Sequence, residues 1–181
     1  QHPTLIGENM AQSLTNVDLS VPGERSMRPG LTLIEDLGAN AITGMGNYDP
    51  QGGTDNLLVT EGTNLKRWIG SGSFASVYSS FTSGLATTII KAFKSGTGDV
   101  ALVSNGTDNV LQMDSSYATS DLGNTNTSCP KTTVLTSYRN RVWGLKDELL
   151  YFSDNSTVTF DRTTSNFRIP CGEERAVLGT R

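Results

Sequence analysis

The sequence predicts an all-β fold built from β-propeller-like blades. Three observations favour it: a composition rich in Thr, Ser, Asn and Gly, an internal repeat of about 40–47 residues, and in each copy two short apolar runs joined by a polar turn. Propeller blades of four strands have this period. We expect about three blades and the start of a fourth, that is, an incomplete propeller.

Composition limits the function classes. The 181 residues carry a formal net charge of −4, with 18% charged and 35% hydrophobic residues. This is too apolar and too weakly charged for a disordered chain, and it lacks the basic excess of proteins that grip nucleic acid. No apolar stretch approaches the ~20 residues that a membrane-spanning helix needs. We therefore expect a folded protein without a membrane segment.

The turns of the repeat predict β-hairpins. In residues 58–68 and 102–113, Gly62 and Gly106 supply the positive φ that a tight turn needs. The third copy, residues 142–152, has no glycine in its turn, which we place at Lys146 and Asp147. The flanking residues are aliphatic, aromatic or β-branched, as half-buried strands prefer.

A further apolar strand precedes each hairpin. These strands fall at residues 41–45, 88–93 and 133–138, and a fourth copy begins at residues 175–179. Another strand is predicted at Phe74–Tyr78, after a Gly/Ser-rich loop. One blade cannot bury both of its faces, so the blades must stack on neighbours. We assign residues 31–181 to the blades and residues 1–30 to an extended N-terminal arm.

Groups able to do chemistry are scarce. The single histidine, His2, argues against a multi-His metal site and a Ser-His-Asp triad, and no phosphate-binding loop is present. The alternatives that stay open are a glycosidase using carboxylates and a calcium site in loops. Their candidate residues are Asp147, Glu148, Asp154 and Asp161 for the first, and Asp108, Asp147 and Asp154 for the second. We predict no catalytic, cofactor-binding or metal-binding residue.

The residues singled out are therefore structural. Trp68, Trp143 and Tyr151 lie in predicted strands, where we expect them to pack between blades, and Gly62 and Gly106 form the hairpin turns. A sugar-binding role for the tryptophans is the alternative. Cys129 and Cys171 either remain separate thiols or pair; two cysteines do not make a disulfide framework.

Several motifs resemble a known family. Residues 138–143, 149–154 and 167–174 resemble an "NRLW" strand, a "LYYSD" strand and an acidic Gly-containing turn of the hub or nozzle proteins of bacteriophage tails. Residues 103–108 resemble the "TNGTD" hairpin of that family, and residues 28–31 its "RPG" motif. Family members are much longer, and Cys171 and Glu174 depart from the Gly and Asp of their acidic turn.

The resemblance implies a structural role in the virion, as part of the tail or neck that is assembled in the host cytoplasm. Such proteins form a symmetric ring of identical copies below the head-to-tail connector. They extend the DNA conduit, with passive contact to DNA in transit, and hold adaptor, fibre or spike proteins. The alternatives are a carbohydrate-binding or glycosidic propeller, and a capsid or head-decoration protein with a β-sandwich.

Overall fold

The computed structural model describes residues 36–69 and 73–169, together with the backbone of two short strands near the N-terminus. The chain divides into two compact units, Gln1–Ile34 and Glu35–Arg181. In the first unit, β1 (Val17–Asp18) and β2 (Ser26–Met27) pair as antiparallel strands; the rest of the predicted arm lies outside the described residues.

The described part of the second unit consists of three four-stranded antiparallel sheets, in each of which successive strands are neighbours. The first sheet contains β3 (Ile42–Tyr48), β4 (Asn56–Glu61), β5 (Asn64–Trp68) and β6 (Phe74–Tyr78). The second contains β7 (Thr88–Lys94), β8 (Gly98–Ser104), β9 (Leu111–Met113) and β10 (Thr119–Asp121). The third contains β11 (Val134–Tyr138), β12 (Arg141–Lys146), β13 (Leu149–Phe152) and β14 (Asn166–Arg168).

The all-β prediction is confirmed, and each sheet coincides with one copy of the sequence repeat. The predicted strand at Phe74–Tyr78 is β6 with the same bounds. The three sheets do not close into a ring. The predicted start of a fourth unit, residues 175–179, lies outside the described residues. Among those that are described, no helix has the length and apolarity needed to cross a membrane.

The second sheet lies between the other two, and β8 is buried on both faces. Val100 and Leu102 point into a core shared with the third sheet, whereas Ala101 and Val103 point into a core shared with the first. All four side chains are fully buried. This explains the unbroken apolar run in the sequence, because a strand covered on both sides has no polar face.

The two cores join neighbouring sheets face to face. The core between the first and second sheets consists of Tyr48, Leu58, Leu65, Phe81, Ala101, Val103, Leu111 and Met113. The core between the second and third sheets consists of Ala92, Val100, Leu102, Val110, Cys129, Leu135, Val142, Val158 and Phe160. Burial of these faces is the main source of stability that the fold offers.

Neighbouring sheets approach closely where small side chains stand at the contacts. A Cβ atom on Gly44 would lie 2.5 Å from the carbonyl oxygen of Thr87, and one on Gly46 would lie 2.8 Å from Cβ of Ile89. At the next junction, Oγ of Ser104 lies 3.1 Å from Oγ1 of Thr132. Larger side chains at these positions would separate the sheets.

Two turns differ from the sequence prediction. β11 and β12 are joined at Arg139 and Asn140, both with positive φ (50° and 58°), where the sequence showed no turn signal. The β12–β13 turn is centred on Asp147 and Glu148, one residue beyond the predicted position, with Asp147 at φ 53°. At Arg139 and Asn140, the positive φ of both central residues is typical of a type I′ hairpin, which matches the twist of the strands.

The Thr-rich segment between Asp154 and Asp161, whose composition suggests a further hairpin, forms none. Residues 153–165 form an irregular loop instead, without strand pairing. The loop is anchored because Val158 and Phe160 are buried in the core between the second and third sheets. A hydrogen bond of 2.9 Å from the Asp154 amide to the Thr159 carbonyl closes its first turn.

Candidate assembly interface

The third sheet presents an apolar face that no other described part of the chain covers. We call it the open face: the side chains of the third sheet that point away from the second. Cross-strand pairing places these residues on one side of the sheet. They are Val134, Thr136, Tyr138, Arg141, Trp143, Leu145, Leu150, Phe152 and Phe167.

Aromatic contacts organise the centre of the open face. The ring of Trp143 lies 5.4 Å from that of Phe152 and 6.4 Å, edge to face, from that of Phe167. The guanidinium of Arg141 lies over the Phe152 ring at 5.7 Å. Because these contacts stay within one sheet, the outer surfaces remain accessible: Val134 is 50%, Tyr138 59% and Phe167 49% exposed.

The corresponding faces of the other two sheets are covered. On the first sheet this face carries Leu58 and Leu65, which the second sheet buries completely. On the second sheet it carries Val100 and Leu102, which the third sheet buries completely. All three sheets therefore have an equivalent apolar face. In the first and second sheets a neighbouring sheet buries this face, whereas in the third sheet it is the open face. Contiguous exposed apolar surface of this kind marks interaction sites.

The opposite end of the stack is also apolar. The far face of the first sheet, which points away from the second, exposes Ile42 (59%), Met45 (67%) and Trp68 (36%). Next to them, Glu61 is almost fully buried and lies 3.0 Å from Nζ of Lys66. Hydrogen bonds from the Asn40 amide and the Lys66 ammonium lower the pKa of Glu61, so this buried carboxyl is ionised and paired.

The residues predicted to be structural lie as follows. Gly62 forms the two-residue β4–β5 turn with φ +58°, and Gly106 has φ +82° in the β8–β9 loop. Trp68 and Trp143 lie on the two outer faces of the stack, not between two sheets. Tyr151 is half-buried and packs against the core between the second and third sheets.

Three of the carboxylates considered for catalysis and calcium binding, Asp108, Glu148 and Asp161, are engaged by neighbouring residues. Glu148 accepts a hydrogen bond of 2.7 Å from Nε of Arg168. The hydroxyls and amides of Thr163 and Thr164 lower the pKa of Asp161 to about 2, because they stabilise its charged form. Across residues 36–69 and 73–169, no three His, Cys, Asp or Glu residues form a cluster that could hold a metal ion.

The first of the two cysteines is a buried structural thiol. Cys129 is fully buried and free, and burial raises its pKa to about 12. A thiol held in this protonated state is a poor nucleophile. Cys171 lies outside the described residues.

Sequence reasoning missed the residues that unite the open face. It placed Trp143 in a strand but gave no partner for it, because Phe152 and Phe167 are distant in the chain and meet only through strand register. The signal that could have identified them is the alternation of side-chain direction along β12 and β13, which places every second residue on the same face of the sheet. Comparison of the chain with protein-family models, with curated proteins and with solved structures finds no match.

Proposed function

We propose that this chain is a structural protein whose three sheets serve as blades of a propeller-like ring. The observation that carries the proposal is the open face of the third sheet. Two equivalent faces in the same chain are fully buried by a neighbouring sheet, and the third has the same apolar character. A stack of this kind needs a neighbour at each end to cover its apolar surface.

The occupant of the open face is a second copy of the chain, docked through the far face of its first sheet. Both ends expose apolar side chains, and a sheet of the same type already fits against each equivalent face within the chain. Since the two faces differ, the contact is head-to-tail, which gives a ring where the rotation closes. Two copies would supply six sheets, within the range of about 4–8 blades seen in propellers.

In its biological setting, the ring belongs to a bacteriophage tail or neck. The support is the ordered set of motifs that resemble hub and nozzle proteins, above all residues 138–143 and 149–154. These motifs cover the end of β11, the first half of β12 and all of β13, and they include five open-face residues: Tyr138, Arg141, Trp143, Leu150 and Phe152. A structural role also agrees with the engagement of the Asp108, Glu148 and Asp161 carboxylates by neighbouring residues.

Sedimentation velocity over a concentration series tests the assembly. Phe167→Lys places a charge on the open face and should leave the chain monomeric at concentrations where the parent associates. Phe93→Lys is the matched control, because Phe93 is similarly exposed (43%) but lies on neither end face. A parent chain that stays monomeric throughout, or equal effects of both variants, would contradict a second copy as the occupant.

Location in the particle is tested separately. An antibody against the chain should label the tail or neck in electron micrographs of purified virions. Particles that lack the chain, and that assemble normally without it, would rule out the tail role while leaving the assembly result intact.

A further inference from the structure

The β8–β9 loop contains an asparagine followed by a glycine, Asn105 and Gly106. Such a pair is prone to spontaneous deamidation, because glycine has no side chain to hinder attack of its backbone nitrogen on the side-chain carbonyl of the asparagine. The fold requires this glycine: Gly106 has φ +82°, and a Cβ atom on it would lie 2.8 Å from Cγ2 of Thr133. A chemically labile pair is therefore built into the loop.

Three hydrogen bonds hold the side chain of Asn105. Its Oδ1 accepts from the backbone amides of Thr107 (3.1 Å) and Asp108 (2.8 Å), and its Nδ2 donates to Oδ2 of Asp108 at 2.7 Å. Asn105 is also only 7% exposed. An amide held at both its oxygen and its nitrogen is not free to turn its carbonyl carbon towards the Gly106 nitrogen. Deamidation therefore requires the loop to open.

Asp108 is itself anchored from outside the loop. Its carboxylate accepts hydrogen bonds from the backbone amide (2.6 Å) and the hydroxyl (2.8 Å) of Thr82, which lies in the connection between the first and second sheets. Burial opposes the charged form of Asp108, but these bonds and the one from Asn105 outweigh it and lower its pKa. Asp108 is thus an ionised acceptor at neutral pH and has no proton to give to a departing amide nitrogen.

The third sheet holds the other side of the loop. Nζ of Lys146, at the end of β12, donates to the Gly106 carbonyl at 3.4 Å, and the methyl group of Thr133 lies against Gly106. The loop is therefore fixed both from the connection before the second sheet and from the third sheet. Because these contacts join different sheets, the exposure of Asn105 depends on whether the sheets are stacked.

We propose that Asn105 is a deamidation site that the stacking of the three sheets keeps closed, with Asp108 as the residue that sets its rate. In the open loop, the Gly106 nitrogen bonds to Cγ of Asn105. The Cγ–Nδ2 bond then breaks, and Nδ2 leaves as ammonia with the amide proton of Gly106. Water opens the resulting cyclic imide to aspartate or isoaspartate, without oxidation or reduction. The site goes beyond the proposed assembly role and does not use the open face.

The product cannot restore the closed loop. A carboxylate in place of the Asn105 amide would face the Asp108 carboxylate where Nδ2 now donates at 2.7 Å, and like charges at that distance repel. Isoaspartate also lengthens the backbone of a turn whose geometry depends on Gly106. Deamidation is therefore an irreversible mark on chains whose sheets have separated.

Peptide mass spectrometry of aged samples, with enzymatic detection of isoaspartate, tests the site. At neutral pH, deamidation of Asn105 should be at least about tenfold slower in the folded parent than in the same chain in urea, because the reaction waits for a rare open state. Asp108→Ala should raise the rate in the folded chain about tenfold, the effect of losing a charge-assisted hydrogen bond. Lys146→Met, which removes a contact from the third sheet, should raise it by a smaller factor.

Asp121→Ala is the matched control, because it removes a carboxylate of the same sheet that bonds to Asn109 and Gly123 instead. Circular dichroism shows which variants are folded, and Asp108→Asn takes the place of Asp108→Ala where the latter does not fold. Equal rates for the parent in buffer and in urea would overturn the proposal. So would folded Asp108 and Lys146 variants that deamidate no faster than Asp121→Ala. Neither result bears on assembly, which sedimentation measures through the open face.

Discussion

Paired Leu→Ala substitutions on equivalent faces test the stacking of the sheets. Leu102 on β8 and Leu145 on β12 both lie on the second strand of their sheet, on the face turned away from the first sheet. Leu102 is fully buried by the third sheet, whereas Leu145 is half-buried on the open face. The two substitutions remove the same atoms, so any difference reports on what covers each face.

The magnitude follows from burial. Deleting a fully buried leucine side chain leaves a cavity and costs about 2.7–5 kcal/mol, and we expect Leu102→Ala to fall in this range. Leu145 has no sheet above it, so its loss should cost about 1 kcal/mol in the isolated chain. With an m-value of about 2 kcal/mol/M in urea, a loss of about 3 kcal/mol lowers the midpoint of Leu102→Ala by roughly 1.5 M.

Urea denaturation of the isolated chain, followed by circular dichroism, measures both values. At concentrations where the chain assembles, Leu145→Ala should also weaken association, because Leu145 lies on the open face. Leu102→Ala should not weaken association directly, because Leu102 is buried within the chain. Equal costs for the two substitutions in the isolated chain would refute the reasoning, because they would mean that both leucines are equally covered.

Three further predictions concern close contacts, pH and the thiol. Gly44→Ala should cost about 1–3 kcal/mol by urea denaturation, because its Cβ would lie 2.5 Å from the Thr87 carbonyl oxygen; an unchanged midpoint would show that the strands are further apart. The pKa of Glu61 is lowered in the folded chain. The stability contributed by its charged form is therefore fully present at pH values above the pKa of an unfolded glutamate, and it is lost as the pH falls through the lowered pKa. Glu61→Gln should reduce that acid loss, measured by urea midpoints between neutral and acidic pH, and an identical slope for parent and variant would exclude the pairing. In a Cys171→Ser variant, Cys129 should react with a thiol reagent only on unfolding, because it is buried with a pKa of about 12; rapid labelling of the folded chain would contradict its burial.

The repeat made much of the fold predictable. The glycine turn at Gly62 and the apolar strands before each hairpin marked the three sheets, because strand and turn preferences are local. The turn at Arg139 and Asn140 was not predictable in the same way. Asn tolerates positive φ but Arg rarely adopts it, and the conformation is supported from elsewhere, by a hydrogen bond from the Ser156 amide to the Asn140 carbonyl.

The candidate sites were less predictable because they depend on residues far apart in the chain. For example, the Arg67 guanidinium on β5 lies over the Tyr117 ring in the β9–β10 loop, and only the packing of two sheets brings them together. The sequence signalled neither residue. Likewise, the position of Trp143 on an outer face depends on how many sheets stack beside it, which strand patterns do not specify.

Hydroxyl-radical footprinting of the isolated chain and of the assembled ring tests the central claim most directly. Oxidation of Tyr138, Trp143 and Phe167 should fall on assembly, because a neighbouring sheet covers the open face, while oxidation of Phe93 should stay unchanged. Equal reactivity of the three open-face residues in both states would show that the third sheet is not an assembly interface.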